Sequence, residues 1–410
     1  MNQNTHTLLS RLPIAVMIAF LVGCSDNNDV TMDNEPSSET TDVSIFQADG
    51  EINQDMMVEA PPTPPAYLGG DRPAVYALPY EYDQGLKMPL LISLHGYTGS
   101  STWHDAYWGL SNLTRERGIL LIMPQGRTNN DGASFWSATD ACCNFNGAPD
   151  TDDSYLRELI EEAQRYFNID AQRIGVMGHS NGGFMSYRMG CDHADLVTHV
   201  GALAGSSFDA DDRCVPTKPV SIYNIHGTWD LIIRYFGRTN DIVPVSQRPM
   251  CEAETCPSEL ESCTSVEACQ TLNTCIQACS PGDPGQSCRN VCFAATTEEI
   301  GTMWTEYFMC SFNAGCYDSS PFFVGPYPSA EGNVNWWSAH NECQSTRDLE
   351  RLDLDNNRPG RETTVQEFHD CKDGTNVRLA TIERGSHGPA LTGSFASTLV
   401  EWFLETPRTE

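Results

Sequence analysis

The residues Gly178-His179-Ser180-Asn181-Gly182 constrain this chain more than any others. An apolar run, Arg173 to Met177, precedes them, and a segment of helical character, Phe184 to Cys191, follows. A strand that turns sharply into a helix around Gly-x-Ser-x-Gly is a nucleophile elbow. The turn is too tight for side chains beside the serine, so Gly178 and Gly182 supply room and backbone freedom. The serine hydroxyl then projects from the strand end, and the helix N-terminus behind it favours developing negative charge. Short glycine-serine patterns also arise by chance. The rest of the chain must therefore supply a base, an acid and oxyanion donors.

The surrounding pattern is of the α/β class. Strand character appears at Ala74–Tyr82, Pro89–Leu94, Ile119–Met123, Arg173–Met177, Val220–Ile225 and Val377–Ile382. Asp153 to Phe167 is an amphipathic helix with Leu156, Ile160, Ala163 and Phe167 on one face. Trp336 to Cys343 and Phe395 to Leu404 also read as helices. Strands alternating with helices imply a mostly parallel central sheet with helices on both faces.

Acyl transfer by serine needs a base, an acid that orients it, and two donors for the oxyanion. Ser180, Asp230 and His387 follow one another in the order that an elbow serine requires. Each sits just past a predicted strand, where open α/β sheets place their sites. Asp230 is preferred to Asp241 and to the loop aspartates 209, 211 and 212 because it follows a strand directly within His-Gly-Thr-x-Asp. His387 is preferred to His340 and His369 because it alone follows the last strand, in a glycine-flanked loop. His95, His179 and His226 adjoin glycine or strand ends and read as structural. The expected oxyanion donors are the N–H groups of Asn181 and Tyr97, with Thr98 as the fallback. This chemistry needs no metal and no organic cofactor. Tyr97, Trp136, Trp229 and Trp336 are candidate walls of a substrate pocket, although such aromatics more often pack in a core.

The body, residues 67–410, resembles the family 1 carbohydrate esterases and secreted polyhydroxybutyrate depolymerases, a group of α/β-hydrolases. The resemblance rests on Pro89 to Gly96, Phe135 to Cys143, Asp152-Asp153, Gly178 to Cys191, His226 to Asp230, Trp337 to Cys343 and Val377 to His387, in order. It implies ester hydrolysis with Ser180, Asp230 and His387 as triad. The substrate would be a feruloyl or acetyl ester of polysaccharide, or a polyester. The resemblance also implies disulfides Cys191–Cys214 and Cys343–Cys371, and leaves the adjacent Cys142 and Cys143 for a vicinal bridge. Two departures stand out. The family usually has a glycine run before the histidine and a tryptophan soon after it, whereas Arg384-Gly385-Ser386-His387-Gly388-Pro389 has no tryptophan, so one wall of the pocket differs. A cysteine-rich block at about 250–317 has no counterpart in the family pattern.

That block holds ten of the sixteen cysteines that remain once Cys24 is set aside. It lacks a Cys-x-x-Cys spacing, which disfavours zinc. Cys275 and Cys279 lie one helical turn apart, as do Cys288 and Cys292, around a Pro-Gly-rich turn. A helical hairpin pairing Cys275 with Cys292 and Cys279 with Cys288 is the expectation. The block enters and leaves at the active-site edge, so it is expected to cap Ser180. The alternative is a stabilising appendage that points away.

Residues 1–24 read as a lipoprotein signal peptide. Leu12–Val22 is apolar but short for a membrane span, and Leu21-Val22-Gly23-Cys24 resembles a lipobox with Cys24 as the lipidated residue. Ser25 after it points to the outer membrane or cell surface. Residues 25–66, acidic and without lysine or arginine, read as a disordered tether. Export makes disulfides the default state of the remaining cysteines. The formal charge of −31, with lysines only at 87, 218 and 372, excludes nucleic acid as a partner. The expected contacts are an ester substrate and a membrane reached only through the lipid anchor, and the chain is expected to be a monomer. The alternative function is a weakly catalytic adhesion lipoprotein that binds through the cysteine-rich block.

Overall fold

The computed structural model describes residues 62–239, 248–277, 292, 295–313 and 325–409. The signal peptide with Cys24, most of the tether and Asp241 lie outside the described residues. So does the Cys279–Cys288 pairing.

Five strands, β2 (Met88–Leu94), β3 (Leu120–Met123), β6 (Ile169–His179), β7 (His199–Leu203) and β8 (Ser221–Gly227), are parallel and almost wholly buried at their centres. A sixth, β11 (Val377–Ile382), continues the parallel run beside β8. Antiparallel strands close both edges: β1 (Val75–Ala77) on β3, and β10 (Thr363–His369) followed by β9 (Ser345–Leu352) on β11. The order across the sheet is β1-β3-β2-β6-β7-β8-β11-β10-β9. A two-residue ribbon, β4 (Arg127–Thr128) with β5 (Ser134–Phe135), lies apart.

The side chains of a strand alternate between faces, and here each face feeds its own core. Leu90, Ile92 and Leu94 of β2 join one core while Leu91 joins the other. The first core is completed by helices α3 (Asp152–Tyr166), α4 (Asn181–Asp192) and α9 (Ala330–His340), through Leu156, Ile160, Phe184 and Trp337. The second packs Trp108 at the end of α1 (Ser101–Trp108), Leu110 of α2 (Leu110–Glu116) and Phe395, Leu399 and Phe403 of α10 (Phe395–Glu405). The described residues of the cysteine-rich block include helices α5 (Arg248–Thr255), α6 (Pro257–Thr264), α7 (Glu267–Gln277) and α8 (Glu298–Asn313). They enclose a small core of their own around Leu272, Ile276, Trp304 and Tyr307.

Strand order reverses at β2, which is followed by β3 on one side and flanked by β6 on the other. The crevice outside the carboxyl ends of β2 and β6 is thus the topological switch point, where open sheets bind ligands. Tyr97 and Ser180 both sit there.

His199 on β7 ties the sheet to the C-terminal segment. Its Nε2–H donates to the Thr406 carbonyl at 2.6 Å, and its ring packs edge-on against Trp402 and Phe403. Burial pulls its pKa down to about 3. The unfolded histidine takes up a proton near 6.5, whereas the folded one stays neutral until about 3. Stability is therefore complete above about pH 6.5 and falls as the pH drops toward 3, by up to about 1.4 kcal/mol per pH unit. Urea unfolding across this window should show the loss, and His199→Gln should remove part of the slope.

Candidate active site

The elbow forms because two glycines allow backbone to touch backbone. A Cβ on Gly178 would lie 2.4 Å from the Gly182 carbonyl carbon, and one on Gly182 would lie 2.2 Å from the Leu94 carbonyl oxygen. Between them Ser180 adopts φ 55° and ψ −120°, a conformation that costs about 1–3 kcal/mol and persists only where its surroundings enforce it. The enforcing contacts are the Ser180 N–H bond to the Leu203 carbonyl at 2.8 Å and the onset of α4 at Asn181. Gly182→Ala drives a methyl into fixed backbone. It should lower the melting temperature and abolish activity together, as thermal unfolding and an ester assay on the same preparation would show.

Ser180, His387 and Asp230 come together as the sequence predicts. Ser180 Oγ lies 2.8 Å from His387 Nε2, and His387 Nδ1 lies 2.8 Å from Asp230 Oδ2. Asp230 is fully buried at the end of β8, and its Oδ1 accepts the N–H groups of Ile232 and Ile233, each at 2.8 Å. Burial alone would raise its carboxyl pKa. The histidines His387 and His226 outweigh burial and hold the carboxyl well below the usual carboxylate range. The loops carrying acid and base are joined: the Trp229 N–H donates to the Gly385 carbonyl at 2.9 Å, and the Arg384 N–H to Thr228 Oγ1 at 2.8 Å.

His179 and His226, read from the sequence as structural, each hydrogen-bond a backbone carbonyl at the site. His179 Nε2–H donates to the backbone carbonyl of His387 at 2.8 Å. Burial, aided by His387, brings the His179 pKa down to about 3, so it is a neutral donor. Tyr107 packs its ring against His179 and donates its hydroxyl to the Pro389 carbonyl at 2.8 Å, holding the same loop from its far side. His226 donates Nε2–H to the Ile233 carbonyl at 2.8 Å and faces Asp230 Oδ2 at 3.4 Å. Adjacency to glycine at strand ends was the only signal for these histidines. Nothing in the sequence singled out Tyr107.

The oxyanion side is equally specific. The fallback donor is spent, since the Thr98 N–H binds the Ser134 carbonyl at 2.8 Å. Asn181 stands at the first position of α4, where backbone N–H groups have no partner within the helix. Its side chain, unremarked in the sequence, clamps Trp136: Oδ1 accepts the Trp136 N–H at 2.7 Å and Nδ2 donates to the Trp136 carbonyl at 2.9 Å. Tyr97 is half-buried, with its hydroxyl accepting from Asn129 Nδ2 and its ring edge-on to the exposed Phe145.

The expectation for Trp136 needs correction. Trp136 is wholly buried and donates Nε1–H to the His95 carbonyl at 3.0 Å. It buttresses the loop after β2 and cannot touch substrate. Trp336 stacks on His340 beside a small cavity lined by Phe208 and Trp337, as part of the α9 packing. Trp229 is half-buried, with the guanidinium groups of Arg358 and Arg384 over its ring at 5.2 and 5.4 Å.

The bridges Cys191–Cys214, Cys343–Cys371 and Cys142–Cys143 are all formed. In the helical block Cys275 pairs with Cys292 as expected, and Cys256–Cys310 and Cys263–Cys269 join them. Disulfides in this number suit an oxidising compartment. No helix among the described residues is long and apolar enough to cross a membrane.

A mostly parallel sheet with helices on both faces, an elbow serine at the switch point, and acid and base at the ends of later strands define an α/β-hydrolase. The esterase family model ("Esterase") matches residues 66–269. Feruloyl esterase B of Piromyces equi is 28% identical over 179 residues, covering 42% of this chain and 32% of that protein. The bifunctional acetylxylan esterase/xylanase of Neocallimastix patriciarum is 24% identical over 197 residues, covering 48% and 26%. Among solved structures, an acetyl xylan esterase from Aspergillus awamori aligns with TM-score 0.41 and 12% identity, over 81% of this chain and 93% of that one. The chain spans less than half the length of the curated relatives it matches. The chain is thus similar to the esterase family over residues 66–269, and the named relatives are consistent with a family 1 carbohydrate esterase type.

Proposed function

We propose that this chain is an exported serine esterase that cleaves carboxylic esters through an acyl-enzyme. The observation that carries the reading is the unbroken line Ser180 Oγ–His387–Asp230, with both hydrogen bonds at 2.8 Å. His387 Nε2 takes the Ser180 proton as Oγ attacks the ester carbonyl carbon. The N–H groups of Asn181 and Tyr97 receive the oxyanion, an arrangement whose individual donors are each worth about 3 kcal/mol of barrier. His387 then protonates the departing alcohol oxygen. Asp230 fixes the imidazole tautomer and stabilises the imidazolium. Water, deprotonated by the same nitrogen, releases the acid and restores Ser180.

The substrate class is a feruloyl or acetyl ester of polysaccharide, in line with the names of the relatives, or a polyester. Export through the signal peptide, lipidation of Cys24 and display on the acidic tether belong to the same reading. The test is fluorophosphonate labelling of the full chain together with an ester panel from acetyl and butyryl to feruloyl and polymeric substrates. A Ser180-dependent adduct with hydrolysis of at least one ester is expected. No adduct and no hydrolysis of p-nitrophenyl acetate would overturn the proposal.

A further inference from the structure

The helical block meets the catalytic body at one place that the triad does not use. A cavity of about 560 Å³ lies between α5, α6 and α8 on one side and the loops preceding Asp230 and His387 on the other. Its volume is that of a small-molecule site. Trp229, Phe236 and Met309 give it an apolar wall, while Glu259, Glu306 and Arg384 give it a charged one. Glu306 of α8 pairs with Arg384, which stands three residues before His387.

The reaction fixes which half of an ester this cavity faces. His387 delivers its proton to the alcohol oxygen, so the departing alcohol must leave on the histidine side of Ser180. Trp229 and Arg384 belong to the two loops that carry Asp230 and His387, and these loops are hydrogen-bonded to each other. The cavity therefore lies on the alcohol side.

Its chemistry selects the occupant. An aliphatic alcohol would desolvate the carboxylates and the guanidinium without giving hydrogen bonds in return. An anion would meet two carboxylates against a single arginine that is already paired. A neutral pyranose offers an apolar C–H face to Trp229, Phe236 and Met309. Its hydroxyls donate to Glu259 and Glu306 and accept from Arg384.

We infer that the cysteine-rich helical block builds a sugar subsite, which holds the alcohol moiety of the ester beside His387. The inference rests on the esterase reading, and it assigns the block a specificity role within it. The disulfides Cys256–Cys310 and Cys263–Cys269 hold α6 to α8 and α6 to α7, which sets the carboxylate wall in place.

The test has a binding arm and a kinetic arm. Xylotriose, a neutral pyranose probe, is titrated by calorimetry into Ser180→Ala and into Ser180→Ala combined with Glu259→Ala or Phe236→Ala. Both added changes are at partly or largely exposed positions, and thermal unfolding confirms that the variants fold. Saturable binding to Ser180→Ala is expected, weakened at least tenfold in the combined variants. In the kinetic arm, the ratio of kcat/KM for acylated xylotriose to that for the methyl ester of the same acid should fall at least tenfold in Glu259→Ala. No xylotriose binding, equal binding by all variants, or displacement of xylotriose by a hydroxyalkanoate oligomer would each overturn the sugar assignment. Hydrolysis of both esters with an unmoved ratio would overturn it while leaving the esterase intact. Xylotriose binding without any ester hydrolysis would support the subsite and defeat the esterase reading instead.

Discussion

Asp230→Asn is expected to lower kcat by about 10⁴-fold while KM and the folded state change little. The size follows from how the carboxylate is held. Oδ1 is committed to the N–H groups of Ile232 and Ile233, so an asparagine must keep its carbonyl oxygen there. Its NH₂ then points at His387 Nδ1, where the carboxylate oxygen stood. A donor in that place makes Nδ1 an acceptor and moves the ring proton to Nε2. Nε2 can then no longer take the proton of Ser180. His226 loses little, because its Nε2–H already donates to Ile233. Stopped assays on a soluble ester, with KM and the melting temperature measured on the same protein, check the claim. A variant within tenfold of wild type in kcat would remove Asp230 from the role of orienting acid.

Ser180→Ala should cost still more, about 10⁶-fold in kcat. Among the described residues no other side chain hydrogen-bonds His387 Nε2 to replace the lost nucleophile. The residual rate should still exceed that of water, because oxyanion donors and binding contacts survive. Covalent labelling by a fluorophosphonate should vanish altogether. The fold should be retained, since alanine leaves the Ser180 backbone bond to Leu203 untouched. Retained activity above about one per cent of wild type would point to a different nucleophile.

The sequence made the catalytic line legible because chemistry and chain order coincide there. Ser180, Asp230 and His387 each follow a predicted strand and flank glycine or sit one turn from it. The central strands were legible where a continuous apolar run marks burial on both faces, as in β2. β7, with His199 and Gly201 in a five-residue span, carried too weak an apolar signal. β9 was hidden for the opposite reason: Ser345–Leu352 is an edge strand, mostly exposed and rich in charge. α1 and α2 were also unread. Trp136 misled because burial cannot be told from pocket lining by residue type alone. The hydrogen bonds that decide its place, to His95 and Asn181, join residues 41 and 45 positions away. The Arg384–Glu306 pair spans 78 residues and has no local signature at all.

One contact binds these observations into a mechanical statement. His179, the residue immediately before Ser180, grips the main chain of His387. The two reacting side chains thus share a frame shorter than the sheet that carries them. When the strands breathe, or β8 shifts against β11, the His387 loop travels with the end of β6. The separation between hydroxyl and imidazole then depends on a short local link as well as on the long path through four strands. Strain that reaches this loop through the outer strands is thereby shared with the end of β6.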